Sequence, residues 1–166
     1  MGVVNCHWLW WHFGEEHLSK AIKQYYLDFG FKHPKPEDFI RTVERVSNIE
    51  LDWYLMDFAQ TTNTIDYGIK KVNRKSITLE RIGLMPMPID LKVTYKDGTS
   101  EDFYIPLREM RGEKPTKATQ LKDWTWAIPT YSIKTDKVIE TVEIDSSTFM
   151  ADVNRENNSY SRTPKN

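Results

Sequence analysis

The stretch Ile89-Asp-Leu-Lys-Val-Thr-Tyr-Lys-Asp-Gly-Thr-Ser-Glu-Asp-Phe-Tyr-Ile-Pro-Leu107 decides the fold. Ile89, Leu91, Val93 and Tyr95 alternate with polar residues, the period of a strand with one buried face. Lys96-Asp97-Gly98-Thr99 interrupts the alternation, and Asp and Gly tolerate the positive φ that a tight hairpin turn needs. Phe103, Ile105 and Leu107 resume it on a returning strand. Working outward, Ile65, Tyr67 and Ile69 alternate, as do Ile77 and Leu79. Ile82 and Leu84 continue that run after a phase slip that predicts a bulge. Met85-Pro-Met-Pro88 forms a rigid extended corner leading into the hairpin. Downstream, Trp124, Trp126 and Ile128 alternate, and Val142 and Ile144 end a last strand. About six strands with turn signals between them predict a small antiparallel β-sandwich.

Upstream of Thr61-Thr-Asn-Thr64 the period is helical. Leu18, Ile22, Tyr25, Tyr26 and Phe29 recur at helical spacing behind Glu15 and Glu16, and Gly30 marks a stop. Phe31-Lys-His-Pro-Lys-Pro36 is a loop, with Pro36 placed for the first position of a second helix. Phe39, Ile40, Val43 and Val46 form that helix's stripe. Asn48 suits the cap of a third, striped by Leu51, Tyr54, Leu55 and Phe58. The fold class is therefore α+β: a short helical unit over 1–63, a β-sandwich over 64–150, and a polar tail over 151–166 predicted to be loosely held. The connection Arg111-Gly-Glu-Lys-Pro-Thr-Lys117 is polar and predicted to be exposed.

Composition narrows the function. Of 166 residues, 39% are hydrophobic and 28% charged, which supports a packed core and argues against wholesale disorder. The formal net charge is -1, with 23 Lys and Arg against 24 Asp and Glu. That balance argues against a nucleic-acid partner and against a polybasic membrane surface. The opening run Met1 to Gly14 is apolar. It lacks a basic n-region and falls short of the roughly 20 residues of a membrane helix. It reads as the interior of a helix, so the chain is expected to begin within an element. In that case Trp8, Trp10 and Trp11 would form a sticky apolar patch. Cys6 alone makes neither an internal disulfide nor a Cys-rich zinc site.

Chemistry-bearing residues are sparse. His12-Phe-Gly-Glu-Glu-His17 places two imidazoles five residues apart, where H-E-x-x-H places them four apart on one helix face. His7 and His33 belong to no recognised ligand spacing. The acidic pairs Glu15/Glu16 and Glu37/Asp38 suit helix starts, and Glu101/Asp102 lies beside the hairpin turn. Nucleophile elbow, phosphate loop and dinucleotide fingerprint are all missing from the sequence. No catalytic or metal-ligating set is therefore assigned. Trp124 and Trp126 fall on one face of the predicted strand, either packed inward or exposed as a platform for a sugar or peptide.

The stretches Gly14-Glu-Glu-His-Leu-Ser-Lys-Ala-Ile-Lys-Gln-Tyr-Tyr26, Phe31-Lys-His-Pro-Lys-Pro-Glu-Asp-Phe39, Leu51-Asp-Trp-Tyr54 and Thr61-Thr-Asn-Thr-Ile-Asp-Tyr67 carry a resemblance. So do Met85-Pro-Met-Pro-Ile-Asp90, Tyr95-Lys-Asp-Gly98 and Ala151-Asp-Val-Asn154. In order and spacing, over most of 14–158, they resemble the late part of zinc aminopeptidases of the membrane alanyl aminopeptidase (gluzincin) type. The resemblance implies the end of a catalytic domain followed by a β-sandwich. In that family zinc, held by H-E-x-x-H and a downstream glutamate, activates the water that splits the peptide bond, and a tyrosine stabilises the oxyanion. Those motifs precede the region matched here and do not occur in this chain. Tyr25 and Tyr26 belong to a later helix and receive no oxyanion role. The resemblance thus implies a C-terminal segment with a structural, substrate-limiting role, no zinc of its own, and the catalytic portion as its partner. A peptide is the substrate of the whole enzyme. The alternatives are a free-standing β-sandwich binding module using Trp124 and Trp126, and a chain that assembles with a separate catalytic subunit.

Overall fold

A computed structural model describes residues 17–162, apart from the side chains of Leu55 and Ala59. The expectations for Cys6, His7, His12, Glu15, Glu16 and the Trp8, Trp10 and Trp11 patch lie outside the described residues. The fold is α+β. The chain divides into two compact units, Met1–Thr61 with Glu109–Thr116, and Thr62–Arg108 with Lys117–Asn166.

In the helical unit, helix α1 is described over 17–29. Its buried face runs through Leu18 and Ala21, and the half-buried Tyr25 packs 5.2 Å from both Phe29 and Phe39. Ile22 and Tyr26 are 47% and 66% exposed, so the expected stripe is corrected. The small Ala21 turns inward, and that rotation carries Ile22 and Tyr26 off the packed face. Gly30 ends the helix by close approach: a Cβ there would lie 2.7 Å from the Tyr26 carbonyl oxygen. Helix α2 spans Pro36–Ser47, with Pro36 in the first turn and the Lys35 N–H donating to Asp38 Oδ2 at 2.8 Å. Asp28 of α1 accepts hydrogen bonds from Arg45 of α2 and from Gln24. Arg45, then Gln24, hold its carboxyl below the usual carboxylate range.

Asn48 closes α2 rather than opening the next helix. It sits at φ 60°, ψ 29°, and its N–H donates to the Glu44 carbonyl at 2.8 Å. Asn tolerates this left-handed conformation better than most residues do. Helix α3, Asp52–Gln60, starts instead after Leu51, whose N–H is taken by the Glu44 carboxylate at 2.7 Å. The 111–117 connection is exposed or half-exposed throughout, as expected, and most of it belongs to this unit. Just before it, Met110 is fully buried and its carbonyl accepts the Glu50 N–H at 2.9 Å. Gly112 lies so close to Asn48 that a Cβ would meet its carbonyl oxygen at 2.7 Å.

The sheet unit carries strands β1 (Tyr67–Val72), β2 (Ser76–Arg81), β3 (Ile89–Tyr95), β4 (Ser100–Ile105), β5 (Thr119–Gln120), β6 (Thr130–Lys134), β7 (Ile139–Ile144) and β8 (Ser159–Ser161). They form a three-stranded sheet, β1-β2-β6, and a five-stranded sheet, β5-β4-β3-β7-β8. Every pairing is antiparallel except that of β5 with β4. The expected hairpin forms, with Ile89 opposite Ile105 and Leu91 opposite Phe103. Ile77, Leu79, Leu91, Val93 and Val142 are buried between polar neighbours, as alternation requires.

Three expectations are corrected here. The bulges fall at Ile69/Lys71 and Thr94/Tyr95. β2 stops at Arg81, where the chain bends so that the Ile82 and Gly83 N–H groups both donate to the Asp66 carbonyl. The 124–128 segment is no strand. Its one β-type pairing is an isolated bridge, Leu107 with Trp124, and the strand nearby is β6, whose polar sequence hid it. The described part of the tail is not loose: Asp152 bridges to Ile65, β8 pairs with β7, and Asn158 is buried.

Candidate functional site

The two tryptophans are separated by their surroundings. Trp124 is 3% exposed; it meets Tyr67 edge-on at 5.5 Å and Tyr131 at 5.3 Å. Its indole N–H donates to the Ile128 carbonyl at 2.7 Å. Trp126 is 46% exposed, with its ring 5.1 Å from the Arg81 guanidinium and its N–H on the Leu84 carbonyl at 3.2 Å. Arg81 also donates to the carbonyls of Gly83 and Trp126, which fixes the ring against the 82–84 bend. The shared exposed face that a two-indole platform needs is not formed, because the segment does not keep strand alternation.

A second place was not singled out from the sequence. Three turns of the sheet unit converge: the β1–β2, β3–β4 and β6–β7 connections. Backbone hydrogen bonds stitch them together, Lys96 N–H to Val138 O, Ile139 N–H to Arg74 O and Thr135 N–H to Lys75 O, each 2.9 Å. Between them lies a cleft of about 460 Å³ lined by Lys75, Tyr95, Lys96, Asp97, Asp136, Lys137 and Val138. Asp97 accepts the Thr99 N–H and hydroxyl at 2.9 and 2.6 Å, and its other oxygen pairs with Lys137 at 2.9 Å. The Thr99 hydroxyl and N–H, with Lys137, hold the Asp97 carboxyl down at about 2. Lys137 also donates to the Thr99 hydroxyl and stands 5.5 Å over the Tyr95 ring. Burial, then the Glu101 carboxylate that accepts its hydrogen bond at 2.5 Å, pushes the Tyr95 phenol up. The one sequence signal for this cleft was the Asp-Gly turn, which has no meaning as a site until the other two turns lie beside it.

The remaining candidates stay apart. His17 lies in α1 and His33 in the exposed turn before α2. Among the described residues, no group of three or more His, Cys, Asp or Glu side chains is placed to hold a metal ion. Asp38 is occupied at the start of α2, and Glu101 by Tyr95. Among the described residues, no helix is long and apolar enough to cross a membrane. No family model matches the chain, and no curated protein matches it.

Proposed function

We propose that this chain is a C-terminal segment of a zinc aminopeptidase-like metallopeptidase, with a structural, substrate-limiting role. The observation that carries the reading is where the resembling stretches meet. Thr61–Tyr67, Met85–Asp90 and Ala151–Asn154 are far apart in sequence yet form one hydrogen-bonded joint. Met87 N–H donates to the Tyr67 hydroxyl at 2.8 Å, Tyr67 N–H to Asp152 Oδ2 at 3.0 Å, and Val153 N–H to the Ile65 carbonyl at 3.0 Å. Met85, Met87 and Tyr67 are buried there. A joint of this kind ties distant parts of the sheet unit together, and a structural module is what the resemblance implies.

The zinc of that family does not fit the residues present. The sequence has no H-E-x-x-H, and among the described residues His17 and His33 belong to no group of three or more possible ligands. No step of peptide hydrolysis is therefore derived for this chain, and its zinc and its water belong to the catalytic portion that would be its partner. The test is metal analysis of the purified chain together with hydrolysis of an aminoacyl-anilide. The expected result is neither stoichiometric zinc nor turnover, with turnover appearing when an H-E-x-x-H-bearing portion is joined to it. Zinc held one-to-one by the isolated chain with turnover overturns the reading, as does a joined portion that gains nothing from it.

A further inference from the structure

The cleft between the three stitched turns holds an uneven set of charges. Of its three lysines, Lys137 is consumed by Asp97 and Thr99. Lys75 and Lys96 make no ion pair among the described residues, and Asp136 is the one lining carboxylate that Lys137 does not neutralise. Two lysines outside any ion pair thus line the cleft together with one carboxylate, beside Val138 and the nearly buried Tyr95. The lining is held in place, since each turn is tied to another by a main-chain hydrogen bond.

We propose that this cleft binds the acidic side chains of an extended peptide segment. A volume of about 460 Å³ suits a few side chains rather than a folded surface. Lysines attract carboxylate and phosphate alike as point charges, and it is Asp136 beside them that disfavours a dianion more than a single carboxylate. The proposal is independent of the aminopeptidase reading, because it concerns only the sheet unit's own turns.

The experiment is an NMR titration of the full ¹⁵N-labelled chain with an acetylated, amidated glutamate-rich peptide. Shifts are expected to be confined to 74–76, 95–99 and 135–139, and to weaken as salt rises. The Lys75→Gln/Lys96→Gln variant should bind at least about tenfold more weakly with its spectrum otherwise intact, and Lys75→Arg/Lys96→Arg should keep the binding. A lysine-rich peptide should produce none of these shifts. The proposal falls if the glutamate peptide moves no amide in the three turns, or if the Gln variant binds as well as the parent. It also falls if inorganic phosphate moves the same amides as strongly as the peptide does.

Discussion

At the scale of single residues, Gly83 and Asp97 show what a turn demands. A Cβ on Gly83 would stand 2.2 Å from the Thr64 carbonyl oxygen and 2.6 Å from the Asp66 nitrogen, both main-chain atoms. Neither can yield without breaking the hydrogen bonds that Ile82 and Gly83 make to Asp66. Gly83→Ala should therefore cost about 2–3 kcal/mol in urea unfolding, as overpacking against rigid atoms does. Gly98→Ala meets nothing within 4 Å, but its φ of 82° strains any L side chain, and its cost should be nearer 1 kcal/mol. Asp97 gives a pH prediction. Its folded pKa, about 2, lies below the ordinary 3.8, so its contribution to the hairpin is fully present above 3.8. That contribution is lost as pH falls from 3.8 through 2. The Thr99 amide shift should titrate with a midpoint near 2, and in Asp97→Asn that transition should vanish.

At the scale of elements, what the sequence displays depends on how much each element buries. The hairpin and α2 were legible because the alternation of Ile89, Leu91 and Val93, and the pairing of Ile40 with Val43, are apolar patterns that packing enforces. β6 has one buried residue, Ile133, and β8 none, so no period marks them; neighbouring strands create them. The 124–128 segment misled for the opposite reason. Its apolar residues alternate, but Trp124 is drawn inward by Tyr67 and Tyr131 while Trp126 is pinned by Arg81, a tertiary choice that local pattern does not encode. Trp124→Ala should then cost about 3–5 kcal/mol of stability, and Trp126→Ala well under half of that, measured by denaturant titration. Equal, small losses would mean that the two indoles share an exposed face. The α2 terminus gives a second check on an element. Asn48→Ala should destabilise the helical unit by about 1 kcal/mol, and Asn48→Gly should not, since only the former strains the left-handed cap.

At the scale of the whole molecule, neither unit is one continuous piece of chain. The helical unit recruits Glu109–Thr116, and the sheet unit runs through to the far end of the described residues. Polarity concealed this, because the 151–162 segment is held by hydrogen bonds rather than by apolar burial. Its Asp152 carboxylate accepts the Tyr67 N–H, its Asn157 amide donates to Asp66 at 2.9 Å, and its β8 pairs with β7. Arg155 pairs at 3.1 Å with Asp145, whose side chain is 1% exposed and also accepts the N–H groups of Phe149 and Met150. A chain ending at Met150 keeps that buried carboxylate but loses its cation. An uncompensated buried charge costs about 3 kcal/mol or more, and each severed hydrogen bond adds about 1 kcal/mol. The sum approaches the roughly 5–15 kcal/mol by which ordinary domains are stable. The shortened chain should therefore lose the cooperative melt and the dispersed amide spectrum of its sheet unit, whereas Arg155→Gln alone should lower stability and leave the fold. If the shortened chain instead melts within a few degrees of the full one, the segment is an appendage and the joint between Tyr67 and Asp152 carries little.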